Sequence, residues 1–281
     1  MAAWATEAHS ALLMGIVNVT PDSFSDGRLF LDPERAIEHG RTLAAEGADV
    51  LDVGGESTRP GAMAVPAGEE VARVVPVIEG LAGAEARVSI DTSKLAVAAA
   101  ALDAGAEIVN DVTALRGEPE LAGLCADRSC EVVLMHMQGT PRTMQEDPTY
   151  DDVVDDVKAF LAERMEFAAS QGVSVERIWL DPGIGFGKTV EHNLELLRRL
   201  GELRELGRPL CVGTSRKSFI GKITGRPVGE RLGGTIASCV LARANGAEML
   251  RIHDVGPVRE GLAVADAILE PGRAGAIADR V

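Results

Sequence analysis

Eight short apolar runs rich in Val, Ile and Leu punctuate the chain about 34 residues apart on average, and no other feature constrains its fold as tightly. They are Leu12 to Val19, Val50 to Val53, Val88 to Ile90, Glu107 to Val109, Val132 to Met135, Arg177 to Leu180, Pro209 to Val212 and Glu248 to Ile252. The interval is that of a strand plus a crossover helix. Such uniformly apolar runs suit parallel strands buried on both faces. Helical spacing fills the gaps. Leu194, Leu197, Leu200 and Leu203 make a stripe ending near Gly207, and Pro257 opens the last helix. Val153, Val157, Phe160, Leu161 and Ala168 make another, with Asp151, Asp152, Asp155 and Asp156 near its positive dipole end. A doubly wound open sheet alternates in the same way, but eight units in 281 residues predict a single (β/α)8 TIM barrel over 1–281. Residues 1–11 read as a flexible or capping lead-in.

Composition removes several classes of function. Lys and Arg number 28 against 43 Asp and Glu, a formal charge of -15, so the long-range field repels a polyanion and argues against nucleic-acid binding. Six Phe, two Trp and one Tyr are too few for a base-stacking surface. The longest apolar stretch, Leu95 to Leu102, falls far short of the roughly 18 residues of a membrane span. Met1 to Ser10 lacks the basic cluster of a secretory signal. Cys125, Cys130, Cys211 and Cys239 form no C-x-x-C pair and read as reduced small hydrophobes of a cytoplasmic protein.

A barrel gathers the C-terminal ends of its strands on one face, where the function of such folds resides. Here those ends carry Asn18, Asp52, Asp91, Asn110 with Asp111, His136, Asp181, Ser215-Arg216-Lys217 and Arg251-Ile252-His253-Asp254. The opposite ends carry mostly small turn residues, such as Glu46-Gly47-Ala48 and Asn245-Gly246-Ala247. Arg251 and His253, two apart on a strand, project to one side. With Lys217, and Arg59 in the Gly54 to Gly61 loop, they offer a site for phosphate or carboxylate. Any one of these bases could equally pair with a neighbouring acid. Asp91, Asn110 and Asp181 lack the His or Cys partners of a zinc site. They suit either helix capping or recognition of a flat heterocycle rich in N–H donors. A magnesium ion with few protein ligands, Asn18 among them, is compatible with this set. The Gly183 to Thr189 turn is no phosphate-binding P-loop, because Pro182 stands where that motif needs its first glycine. His9, His39 and His192 read as surface or capping residues.

Eight stretches in chain order make the chain resemble the dihydropteroate synthase family: Met14 to Gly27 (MGIVNVTPDSFSDG), Leu51 to Gly61 (LDVGGESTRPG), Ser89 to Thr92, Val109 to Val112, Leu134 to Gly139, Leu180 to Gly187 (LDPGIGFG), Thr214 to Ser218 and Arg251 to Val255. The resemblance implies a cytoplasmic, homodimeric (β/α)8 enzyme of folate biosynthesis. Its reaction joins 4-aminobenzoate to (7,8-dihydropterin-6-yl)methyl diphosphate and releases diphosphate, with Mg2+ as cofactor. By position, Asp91, Asn110, Asp181 and Lys217 would hold the pterin, with Met135 against its ring. Arg251, His253, Asn18 and Thr58 would hold the diphosphate, and Asn18 and Asp26 the magnesium. Phe24, Arg59, Pro60, Phe186 and Ser218 would form the 4-aminobenzoate site, where sulfonamides bind in this family. Asp91, Lys217, Arg251 and His253 are the candidate catalytic set. Arg28 stands where a second Gly is common after Gly27, which bears on the loop's mobility. A methyltetrahydrofolate-dependent methyltransferase, whose barrel also binds a pterin, and a catalytically silent paralogue are the competing readings.

Overall fold

The computed structural model describes residues 11–20, 33–58, 62–140 and 143–269. Eight parallel strands alternate with helices: β1 (Leu12–Asn18), α1 (Pro33–Ala45), β2 (Val50–Gly54), α2 (Ala67–Leu81), β3 (Arg87–Asp91), α3 (Leu95–Asp103), β4 (Ile108–Asp111), α4 (Leu121–Arg128), β5 (Glu131–Met135), α5 (Val153–Ser170), β6 (Ile178–Asp181), α6 (Val190–Arg198), β7 (Cys211–Val212), α7 (Ser218–Thr224), α8 (Leu232–Ala244), β8 (Met249–Ile252) and α9 (Val255–Leu269). The strand order is β6-β5-β4-β3-β2-β1-β8-β7. A parallel bridge between Leu180 and Leu210 joins the two ends, so the sheet closes and the open-sheet alternative falls away.

The strands fall within two residues of the apolar runs, and the helices follow their predicted faces with one exception. Asp152 caps α5, accepting the amides of Val154 and Asp155, and Val153, Val157, Leu161 and Ala168 are buried beneath it. The leucine stripe differs: α6 ends at Arg198, and residues Leu200–Leu206 wind as a 3-10 helix closed by the left-handed Gly207. Three residues per turn put Leu197, Leu200 and Leu203 on one buried face, while Leu194, still on the wider α-helical winding, is exposed and Leu196 takes its place inside. At three helix-to-strand joints a Gly-Ala-acid triplet recurs. Gly47, Gly105 and Gly246 adopt φ of 98, 114 and 105°, and the following alanine amides bond back to Leu43, Ala101 and Ala242.

Inside the barrel, Met14, Val50, Ile108, Val133, Trp179, Cys211 and Met249 pack as one apolar layer, distinct from the larger core between strands and helices. Because strand side chains alternate, the residue two positions beyond each member also points inward, one storey higher. Those residues are Ile16, Asp52, Asn110, Met135, Asp181, Gly213 and Arg251. The period of the strands therefore turns an apolar plug into a polar floor within a single step.

Candidate active site

The floor is organised by Arg251. Its Nε donates to Asp52 Oδ2 at 2.6 Å and its Nη2 to Asp91 Oδ2 at 2.8 Å. Asn110 Nδ2 donates to the same Asp52 oxygen at 3.0 Å. Asp52 is fully buried, and its Oδ1, Asp91 Oδ1 and Ser89 Oγ have no hydrogen-bond partner among the described residues. Burial pushes the Asp91 carboxyl up to about 7, against the pull of Arg251 and with the help of Asp52, Glu70 and Asp111. Two buried carboxylates sharing one guanidinium is a costly arrangement, of the kind that marks functional sites.

Asp181 lies across the floor, where its Oδ1 accepts the Gly183 amide at 2.7 Å. Burial raises its carboxyl, opposed by that amide and by the charges of Lys217 and Arg251. Lys217, the residue before α7, sets its Nζ 4.0 Å from the centroid of the Phe186 ring, and burial pulls its ammonium down to about 8. Phe186 in turn packs on an apolar group of Val112, Met135, Met137 and Met144. Charge and flat apolar surface thus adjoin, as a polar heterocycle and an aromatic acid require.

The two readings of the acids now separate. Neither Asp91 nor Asp181 caps a helix: α3 starts after Lys94 with no side-chain cap, and Thr189 caps α6. Asp111 is the structural one, since it accepts the amides of Thr113 and Leu115. His192 completes the cap of α6 and His39 is exposed, whereas His9 lies outside the described residues. His253 shares a 2.9 Å hydrogen bond between Nδ1 and Ser215 Oγ. Burial and the nearby Arg216 and Arg251 push its imidazole down to about 3, so it is neutral in the substrate-free protein. Asn18 ends β1 beside Gly54, and Gly54 in turn pairs with Asp91. Thr58 borders a cavity beside Asp91, and Ser218 is exposed at the start of α7. Phe24, Asp26, Arg59 and Pro60 lie outside the described residues.

Sequence reasoning overlooked two features of this mouth. Asp52 was one acid among many strand-end residues, although a lone carboxylate inside Leu51-Asp52-Val53, at inward parity, was the available signal. The second is a buried pair, in which Lys188 Nζ donates to His136 Nδ1 at 2.8 Å and to the Phe186 carbonyl at 3.0 Å. Burial lowers Lys188 to about 7 and His136 to about 2. The pair ties the loop after β6 to the loop after β5. Tyr150 Oη and Gln145 Nε2 strengthen that tie by donating to the carbonyls of Gly187 and Gly185. Gly183 is obligatory at this seam, because a Cβ there would meet the His136 carbonyl oxygen at 1.9 Å.

A closed parallel barrel whose mouth gathers buried carboxylates, an amide and one shared arginine defines an α/β-barrel enzyme for a small polar heterocycle. Residues 14–253 match the pterin binding enzyme family. The dihydropteroate synthase of Synechocystis sp. is 46% identical over 258 residues, covering 91% of this chain and 89% of the relative. Among solved structures, Xanthomonas albilineans dihydropteroate synthase with 4-aminobenzoic acid superposes with a TM-score of 0.87 at 48% identity, covering 92% of this chain and 93% of that one. The same enzyme with 7,8-dihydropteroate gives 0.84 at 46% identity, covering 92% and 94%. The chain belongs to the dihydropteroate synthase family of pterin-binding enzymes. It is a transferase of folate biosynthesis, and the methyltransferase alternative gives way.

Proposed function

We propose that the chain condenses (7,8-dihydropterin-6-yl)methyl diphosphate with 4-aminobenzoate by loss of diphosphate followed by amine attack, as the names and bound ligands of its relatives suggest. The observation that carries this reading is the Arg251 guanidinium shared between Asp52 and Asp91 beside Asn110, which sets a cation next to acceptors for ring N–H groups. The carboxylates of Asp91 and Asp181 accept from the N–H groups of the pterin edge, the Asn110 amide accepts from or donates to it, Lys217 covers it from the Phe186 side, and Met135 lies against the ring. When the bond from the methylene carbon to the diphosphate oxygen breaks, the electron pair leaves with the diphosphate. Arg251 stabilises that growing charge, while Asn18, Thr58 and neutral His253 hold the group by hydrogen bonds. The positive charge left on the pterin methylene is favoured by the carboxylates of Asp91 and Asp181. The amine nitrogen of 4-aminobenzoate then bonds to that carbon and loses a proton. A neutral aromatic amine needs no strong base, so the reading asks none of the Ser215–His253 hydrogen bond, whose imidazole it gives to the diphosphate end. Phe186 and Ser218, with Phe24, Arg59 and Pro60 from the loops, form the 4-aminobenzoate end, where a sulfonamide would compete.

Among the described residues no cluster of three or more His, Cys, Asp or Glu is arranged to hold a metal. Asn18 contributes one hard oxygen donor at the diphosphate end, and Asp52 and Asp91 are taken up by Arg251. Asn18, with Asp26 from the loop after β1, would hold a magnesium ion there, as the family resemblance implies. It would add Lewis-acid neutralisation of the leaving group.

Exposed Ile223, Val228 and Leu232 around α7 and α8, and Leu241, Val264 and Ile268 on α8 and α9, support a homodimer. No helix among the described residues is long and apolar enough to cross a membrane. The four buried, unpaired cysteines support a reducing, cytoplasmic setting. The reading is tested by following diphosphate release from both substrates with and without magnesium. Release that depends on 4-aminobenzoate is expected, and none under saturating conditions would overturn it.

A further inference from the structure

The segment that follows β2 is fastened by a group the chemistry does not use. Lys94, between β3 and α3, directs its Nζ to the carboxylates of Glu56 and Glu70 and, at 2.6 Å, to the Val65 carbonyl. Glu56 and Val65 stand on either side of Thr58, so one ammonium grips both flanks of the segment. Its anchor is Glu70, a carboxylate on α2 that is 1% exposed and also accepts the Thr92 hydroxyl at 2.8 Å. Thr92 directly follows Asp91, which joins the fastening to the floor of the site. Arg73 adds a 2.7 Å bond to the Gly55 carbonyl. Gly55 itself lies flush on α2, where a Cβ would come within 2.8 Å of Val74 and 2.9 Å of Glu70. Above this assembly lies a cavity of about 340 Å³ bordered by Glu56, Thr58, Glu70, Asp91 and Thr92.

We propose that Lys94, Glu56 and Glu70 form a clasp that positions residues 55–58 and 62–65 beside this cavity, making Lys94 a positioning residue for the amine-accepting half of the reaction. The inference rests on the proposed function for its kinetic consequence, not for its structural one. A buried Glu70 needs Lys94 for neutrality in any case, so simple loss of Lys94 would confuse folding with positioning. Glu56 is only partly buried and can be changed while the Lys94–Glu70 pair persists. Glu56→Gln is therefore the primary test, and the Lys94→Met/Glu70→Gln double variant, which leaves no fully buried charge unpaired and exposes only the partly accessible Glu56 to the loss, is the second.

Hydrogen exchange of residues 55–58 and 62–65 is expected to quicken by about fivefold or more in both variants, without substrates present. The kcat/KM for 4-aminobenzoate should fall about tenfold, while pterin diphosphate binding measured by calorimetry stays within about threefold, because, of the residues assigned to that substrate, Thr58 alone lies on the segment and Asp91, Asn110, Asp181, Lys217, Arg251 and His253 are untouched. Unchanged exchange overturns the clasp. Faster exchange with unchanged kinetic constants, or equal loss of both substrates together with a lowered Tm, overturns its positioning role. Absence of turnover in the wild-type protein would sink the proposed function but leave the exchange result to judge the clasp.

Discussion

The two ends of the barrel treat their buried and half-buried acids in opposite ways. At the N-terminal end three acids beside the strand starts are each matched. Asp49 Oδ2 accepts Arg259 at 2.6 Å and the Leu13 amide at 2.7 Å, Glu131 takes Arg87 and the Trp179 indole, and Glu248 takes the Leu210 amide. At the C-terminal end Asp52 and Asp91 compete for one arginine and each keeps an oxygen without a partner. The matched end closes the fold and the mismatched end waits for a ligand. Unsatisfied buried acceptors cost stability unless something with N–H donors arrives. A flat ring bearing several N–H groups would supply them.

The largest break in this contrast comes from Arg251→Ala. It removes the charge at the leaving group and leaves Asp52 and Asp91 repelling each other, so kcat/KM should fall by about a hundredfold or more in the diphosphate-release assay. A rate near wild type would contradict the role given to the guanidinium.

A smaller, sharper effect concerns pH. The Asp91 carboxyl moves from 3.8 in the unfolded chain to about 7 in the fold. Its favourable contribution is therefore complete below the lower value and is lost as pH rises through the upper one. The Tm of the substrate-free protein should fall between about pH 4 and 7 relative to Asp91→Asn, and parallel curves would show that Asp91 is not the group responsible.

The smallest effect is expected at His253. Because it is neutral in the substrate-free site, His253→Gln should keep turnover within about threefold of wild type and leave the profile between about pH 6 and 8 unchanged. Loss as severe as in Arg251→Ala would restore it to the role of a cation.

The barrel was legible because its signal is repetitive: eight apolar runs, each with a polar residue at its upper end. Asp91, Asn110, Asp181, Lys217 and Arg251 were legible for the same reason, and the strands bring them to one floor. What the sequence concealed was pairing. Nothing in the order of residues says that Arg251 spends two of its donors on Asp52 and Asp91, which lie 199 and 160 positions away. Nor does it say that Lys188 turns inward to His136, or that burial, helped by Arg216 and Arg251, keeps His253 uncharged. Those facts depend on which strands become adjacent and how deeply each side chain is buried. The leucine stripe shows the local version of the same limit: a spacing of three residues suits a 3-10 turn as well as an α-helical face, and the spacing alone does not tell them apart.

The most direct test of the contrast between the ends is to measure diphosphate release and Tm for Asp52→Asn and Asp49→Asn side by side. Asp49→Asn, at the matched end, should lose about 1 kcal/mol of stability and no turnover, since it weakens a half-exposed ion pair. Asp52→Asn should stay folded, because it relieves carboxylate crowding, yet lose about tenfold or more in kcat/KM as Arg251 and Asn110 lose their common anchor. Equal kinetic effects from the two variants, or wild-type turnover in Asp52→Asn, would contradict the account.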